Sequence, residues 1–323
     1  MKANGVPKAS MTAAPLPTTA PLSVSGKAIL LGEHFVVYGA PALAVSIPDA
    51  LQISCFPDEA LSLQIPQWGL VLRPDAEGEA LSRAFAALLA ALPPSQPARL
   101  EATLRLPSGV GLGSSASLGV GVLRALAARN GWALSQSACY ELLFHWERVF
   151  HGNPSGFDHA AAMSEGLTQF RRFEDPAIVA QPLASPLHLV IAHVAEGAST
   201  KTMVDGVRDW RAAHPDAFEQ LLARASARVD ALLAALAAHQ LTEAGAILNE
   251  NHQDLQRIGV STPALDHACA VAREAGARGA KLIGAGGGGC ILALCEATQF
   301  DAVHAALQPL SAMTLPLHLT PST

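Results

Sequence analysis

The stretch GVGLGSSAS, residues 109–117, lies between two segments of different periodicity. Before it, RLEATLRLP (99–107) alternates polar and apolar residues and ends on a proline, which predicts a strand. After it, residues 115–129 carry helical periodicity and stop at Asn130-Gly131. Strand, glycine loop and helix start is the order that phosphate binding uses. Glycines let backbone N–H groups approach an anion, and the helix N-terminus adds partial positive charge. Three readings compete. A P-loop needs Gly-Lys-Ser/Thr at its end, and here Gly113 is followed by Ser114. A dinucleotide site, which Gly111, Gly113 and Ala116 match in spacing, needs a second strand closing on an acid roughly 20 residues further on. The next element is instead another helix, and GWALSQSACY (131–140) holds no acid. The third reading is a tight turn of small residues with no ligand. Glycine and serine backbone groups converge at one helix start, which favours a phosphate cradle over that turn.

Three further motifs accompany the loop. IGAGGGGCI (283–291) also contains G-x-G-x-x-G, but apolar, β-like residues flank it on both sides, so a strand follows it. A hairpin needs only one or two glycines, so four in a row suggest a backbone against which something packs closely; a purely structural loop is the alternative. SGKAILLGEHFVVYG (25–39) puts Lys27 in an apolar strand, a costly place for a cation that reaches neither water nor an anion. Read alone, Lys27 is a strand-edge lysine and Glu33-His34 are loop residues. In ERVFHGNPSGFDHAAA (147–162) a Gly, Asn-Pro, Ser-Gly turn delivers Asp158 to a helix start. There it serves as an N-cap, as a general base or as a charge partner for Lys27.

The 323-residue chain carries 21 basic and 27 acidic residues, a formal net charge of −6, and no basic run. Nucleic acid and anionic membrane are therefore not expected partners. No apolar run approaches the roughly 20 residues of a membrane span. MKANGVPKASMTAAPLPTTAPLS lacks the apolar core of a signal peptide and reads as a disordered lead-in, residues 1–22, with Met11 a second candidate start. Five scattered cysteines without zinc spacing suit a reducing cytoplasm. Strands are expected at 23–31, with an interruption at Gly26-Lys27, and at 51–56, 68–73 and 99–107. Helices are expected at 79–92, 115–129 and 135–150. Past residue 185 the texture changes: a strand at LHLVIAHV, helix from Pro215 to about Gly259 and over Pro263–Ala275, strands at AKLIGAG and CILALC, and a last strand at TLPLHLT.

Together the four motifs resemble the GHMP kinase superfamily. Pro107–Ala116 has its P-x-G-x-G-L-G-S-S-A form, and within it GKAILLGEH and HGNPSGFD are similar to the mevalonate kinase family. The resemblance runs from about Val24 to the last strand. It implies an α+β, two-domain GHMP kinase fold. An N-terminal ATP-binding domain, 23–185, would be like ribosomal protein S5 domain 2, and a C-terminal domain, 186–323, would be ferredoxin-like. It implies ATP with its phosphates on Gly109, Val110, Gly111, Leu112, Gly113, Ser114, Ser115 and Ala116, and Mg²⁺ on Ser115 and Glu147. Asp158 looks like the catalytic aspartate and Lys27 like its partner. Glu33, His34 and Thr200 look like acceptor-side residues, and Gly286–Gly289 like the loop backing the nucleotide site. Mevalonate is the implied acceptor, and a homodimer is common among relatives. The chain departs from the pattern at His159, where Asn is usual, at Phe157, where Val or Ile is usual, and in a shorter segment between 56 and 98. A kinase for another small alcohol, an NAD(P)-dependent oxidoreductase and a non-catalytic sensor are the competing readings.

Overall fold

The structure is a computed structural model that describes residues 20–152, 154–174 and 177–321. Most of the lead-in expected at 1–22 therefore lies outside the described residues, as do Asn153 of the HGNPSGFD turn and residues 175–176; Leu22 already opens the first strand. The chain folds into two compact units that interleave along the sequence. The first takes the chain up to Gly26, then Pro48–Leu106 and Ser114–Met163. The second takes Lys27–Ile47, Pro107–Gly113 and Ser164 onward.

The first unit contains the start of β1 (Leu22–Leu31), most of β2 (Ala42–Pro57), then β3 (Ser62–Ile65), β4 (Leu70–Leu72), α1 (Ala80–Ala91), β5 (Ala98–Leu104), α2 (Ser114–Asn130), α3 (Gln136–His151) and α4 (Phe157–Ala162). β1 runs without a break through Gly26-Lys27 and pairs with β2. The expected interruption is absent because Lys27 donates its N–H to Leu112 O at 3.0 Å, which satisfies its backbone within the fold. Leu51–Pro57 of β2 pairs antiparallel with β5, β5 pairs parallel with β3, and β3 pairs antiparallel with β4. α1, α2 and α3 bury Phe85, Leu88, Leu123, Leu126, Leu143 and Trp146 against the alternate, inward-facing residues of β2 and β5.

The second unit contains the rest of β1 and a 3₁₀ turn at Phe35–Tyr38. It continues with β6 (Leu167–Phe170), β7 (Ile178–Gln181), β8 (Leu187–Ala195), α5 (Thr200–Ala213), α6 (Pro215–Ala237), α7 (Leu241–Arg257), α8 (Pro263–Glu274), β9 (Gly279–Ile283), β10 (Gly289–Cys295), α9 (Phe300–Leu307) and β11 (Met313–Leu319). Ala42–Val45 of β2 pairs with β6, and β6 with β7. The remaining strands form an antiparallel sheet in the order β11-β8-β10-β9. With helices between β8 and β9 and between β10 and β11, that order is the split βαβ of a ferredoxin-like fold.

α7 meets β9 backbone to backbone. A Cβ on Gly245 would lie 2.2 Å from Arg278 O, and one on Gly279 would lie 2.3 Å from Gly245 O. Neither carbonyl can retreat without moving helix or strand. Gly→Ala inside a helix ordinarily stabilises by about 1 kcal/mol. We expect Gly245→Ala instead to destabilise by about 1–3 kcal/mol through overpacking, read as a lower urea midpoint at unchanged slope; an increase in stability would contradict the packing described.

Candidate functional site

In the second unit the glycine loop is built by what lies under it. Pro107–Gly113 runs beside β1, tied by the Lys27–Leu112 hydrogen bond. Gly113 has φ +83°, and a Cβ there would lie 2.9 Å from Lys27 Cγ, so the buried stem of Lys27 runs along the end of the loop. Gly111 and Gly284 face each other through their backbones: a Cβ on either would sit 3.5 or 3.3 Å from the other's Cα. Gly197 approaches Gly109 O and the backbone of Gly289, and Ala198 N donates to Gly287 O at 3.2 Å. Residues 27, 109–113, 197–198 and 284–289 are thus assembled with almost no side chains between them. That leaves main-chain dipoles as the dominant chemistry of the surface they make, which suits an anion.

Three further candidates lie in the second unit. Glu33 has a fully buried side chain that pairs with Lys281, itself without exposure, and accepts from Asn251 Nδ2 at 3.4 Å. His34 is buried at φ +59°, with Nε2 2.8 Å from Ala285 O, and burial lowers its pKa. Nε2 therefore carries the proton it donates, and Nδ1 is the atom left for other chemistry. Thr200 is exposed and opens α5 directly behind the N-cap Ser199.

The first unit holds the acidic candidates. α2 starts at Ser114, whose side chain is buried. Ser115 Oγ is buried without a hydrogen-bond partner among the described residues, an arrangement that is costly unless a ligand completes it. α3 comes close because residue 119 is glycine; a Cβ there would strike the Trp146 ring at 2.8 Å. Trp146 Nε1 donates to Ser115 O at 3.1 Å, and Glu147, the next residue, is 1 % exposed. Glu147, His151 and Asp158 each offer a ligand atom within 4.8 Å of the others, with His151 Nε2 3.4 Å from Glu147 Oε2. A hydroxyl with no partner and clustered carboxylate oxygens suit a hard cation such as Mg²⁺. Gly156, at φ +89°, takes the N-cap of α4, so Asp158 is not the cap but the second residue of the helix.

The two departures flanking Asp158 are core residues. Phe157 is 2 % exposed. His159 is fully buried, with ring centroids 4.9 Å from Tyr140 and 4.8 Å from Phe144, and burial holds its pKa at about 4. Both side chains fill the interior of the first unit, while Asp158 between them stays half-buried.

Neither dinucleotide match has the context it needs. α2 is followed by α3, and the second glycine run joins the antiparallel strands β9 and β10. Sequence reading missed Lys281, Asn251 and His151. Lys281 carries the same signal as Lys27, a lysine inside an apolar strand, and His151 stands one helical turn after Glu147. Asn251 carries no local signal, because α7 brings it to Glu33 across 218 residues.

Comparison with known proteins gives the family. The family model described as GHMP kinases N terminal domain matches residues 79–166, and the one described as GHMP kinases C terminal matches 232–310. A mevalonate kinase of Pyrococcus horikoshii is 32% identical over 311 residues, covering 88% of this chain and 90% of the relative. One from Methanothermobacter thermautotrophicus is 30% identical, covering 88% and 92%. The crystal structure of L. major mevalonate kinase in complex with R-mevalonate superposes with a TM-score of 0.80 at 29% identity, over 97% of this chain and all of that one. The chain belongs to the GHMP kinases. Its similarity over nearly full length is to the mevalonate kinases among them.

One buried histidine makes the second unit sensitive to acid. His252 Nδ1 accepts from Leu282 N–H at 3.2 Å, and its Nε2 lies 3.1 Å from Asp266 Oδ1. A proton on Nδ1 would face that backbone N–H, and burial pushes the pKa down to about 4. The folded value lies below the unfolded one of about 6.5, so the unfolded chain binds more protons between them. Stability is therefore complete above pH 6.5 and falls as pH drops from there through about 4, by about 3 kcal/mol for the whole shift. Urea unfolding from pH 7 to 4 should show this slope, reduced in His252→Asn; an equal slope in that variant would contradict the assignment.

Proposed function

We propose that the protein is an ATP-dependent kinase that transfers the γ-phosphoryl group to the primary hydroxyl of mevalonate, giving 5-phosphomevalonate and ADP. One observation carries the reading: a loop of bare backbone leads into α2, whose own unit holds two acidic side chains within 4.8 Å of each other. Mevalonate as the acceptor is supported by the names of the relatives that match nearly the whole chain.

Phosphoryl transfer asks little covalent chemistry of a protein; it asks for positioned phosphates and a group that handles one proton. Gly109 to Ala116 receive the phosphates on main-chain N–H groups and the start of α2. Asp158 accepts the proton of the acceptor hydroxyl as that oxygen bonds to the γ-phosphorus and the bond to ADP breaks. Lys27, whose stem lines Gly113, supplies positive charge that favours an ionised base. Ser115 and Glu147 are the residues that would hold Mg²⁺, which supplies charge neutralisation of the phosphate oxygens when bound. His34 and Thr200 are assigned to the acceptor side. The domains are taken as 23–185 for ATP and 186–323 for the C-terminal half. A homodimer and a cytoplasmic location belong to the same reading. All five cysteines are free, in keeping with a reducing compartment, and no helix among the described residues is long and apolar enough to cross a membrane.

A coupled ADP-release assay with mevalonate, phosphomevalonate, galactose and homoserine tests the acceptor; mevalonate should be preferred, and faster turnover of another acceptor would contradict the proposal. Asp158→Asn should lower turnover by about 10²–10⁴ while ADP affinity stays at the wild-type level. Unchanged turnover would remove Asp158 from the chemistry.

A further inference from the structure

The buried charges of the second unit call for an explanation that stability does not supply. Lys281 lies in β9, where every residue is buried, and its own side chain has no exposure. Its ammonium reaches the Glu33 carboxylate and, at 3.4 Å, Ile29 O. Asn251 Nδ2 donates to the other oxygen of Glu33. A buried ion pair of this kind gains little over apolar residues of the same volume, because both charges are stripped of water. Burial is also the largest influence lowering the Lys281 pKa, opposed by Glu33. A methionine would fill the same space with no partner needed.

What the pair does is visible in the segments it joins. Glu33 follows Gly32, at φ +105°, and precedes His34, which holds an uncommon positive φ. Two residues past Lys281, β9 ends and the second glycine run begins. His34 Nε2 on Ala285 O makes a second tie between the same two segments. Residues 33–34 and 281–285 are thereby joined at two points. Between those points and the loop lies Gly284, whose backbone is the floor under Gly111. A displacement of 281–285 is a displacement of the surface on which the phosphate loop rests.

We propose that Glu33 and Lys281 are a positioning pair for the phosphate loop, holding the 281–285 segment and Gly284 against Gly111, and that Glu33 does not contact the acceptor. This rests on the assignment of residues 109–113 to nucleotide phosphates. The pair works with Asn251 as its second donor and His34 as the parallel tie. Its charge is spent on geometry inside the protein.

The test uses the full chain in four forms: wild type, Lys281→Met, Glu33→Gln and the double variant Glu33→Gln/Lys281→Met. MgADP affinity is measured calorimetrically with no acceptor present, and KM for ATP and for mevalonate, with kcat, are measured separately. Each single variant should bind MgADP about tenfold more weakly and raise KM for ATP in parallel, a loss within the range that sub-ångström to ångström misplacement produces. KM for mevalonate should stay at the wild-type level. The double variant should lose no more than the worse single one, because both changes break one contact. Where a single variant fails to fold for want of a partner charge, the double variant, which leaves no buried charge at either position, still decides. Tenfold weaker MgADP binding in it supports the pair, and wild-type binding overturns it. Losses that multiply in the double variant, or a folded Glu33→Gln that raises KM for mevalonate with MgADP affinity intact, also overturn it. Failure of the wild type to phosphorylate mevalonate would count against the proposed acceptor alone, since the MgADP titration needs no acceptor.

Discussion

The second unit depends on one close approach: the backbone of Gly111 lies against the backbone of Gly284, each at positive φ, and a Cβ on either would already touch the other's Cα at 3.5 or 3.3 Å. A loop that presents N–H groups to an anion must leave them unused by its own fold and still be held still. Side chains cannot do both, because they would cover the surface they brace. Main chain packed on main chain can. The glycines at 111, 284, 286 and 288 are the compositional consequence, and Gly197 extends the same contact to the segment before α5.

Once backbone rests on backbone, the bracing has to come from further out, and there the unit uses polar groups in its interior. The Lys27 N–H to Leu112 O bond fixes one flank of the loop, and His34 on Ala285 fixes the floor. His252 on the N–H of Leu282 and Glu33 on Lys281 secure the strand that leads into that floor. Each of these is expensive in an apolar setting unless partnered, and each makes the contact named here. The first unit solves a related problem differently. Gly119 lets α3 approach α2 until Trp146 bonds the carbonyl of Ser115, which carries Glu147 in with it. Phe157 and His159 anchor α4 in the core so that Asp158 is displayed from a fixed turn.

Much of this was legible in the residues. The alternation of 99–107, the helical texture after Ser115 and the stops at Pro107 and Asn130-Gly131 put the loop between β5 and α2; the strand ends three residues earlier than expected, at Leu104, and the helix starts one residue earlier, at Ser114. The order of strands and helices after residue 186 is compatible with the observed ferredoxin-like sheet. Local pattern could not supply the partners of buried polar groups. Lys27 and Lys281 look alike in sequence, each a lysine among apolar strand residues. The first has its stem along the loop and the second has its charge sealed against Glu33. That distinction is set by residues more than 200 positions apart. The short strands β3, β6 and β7 were missed because four residues are too few to show a period. The break expected in β1 failed because a glycine and a lysine in a strand are tolerated once a neighbouring segment supplies the hydrogen bond.

The central claim is that main-chain N–H groups of residues 109–115 hold the phosphates of a nucleoside triphosphate. The most direct measurement is a crystal structure of the protein with a non-hydrolysable ATP analogue and Mg²⁺. The account predicts the β- and γ-phosphate oxygens within hydrogen-bond distance of those N–H groups, with the metal on Ser115 Oγ. A triphosphate bound away from the loop, or a metal that leaves the Ser115 hydroxyl without a ligand, would contradict it.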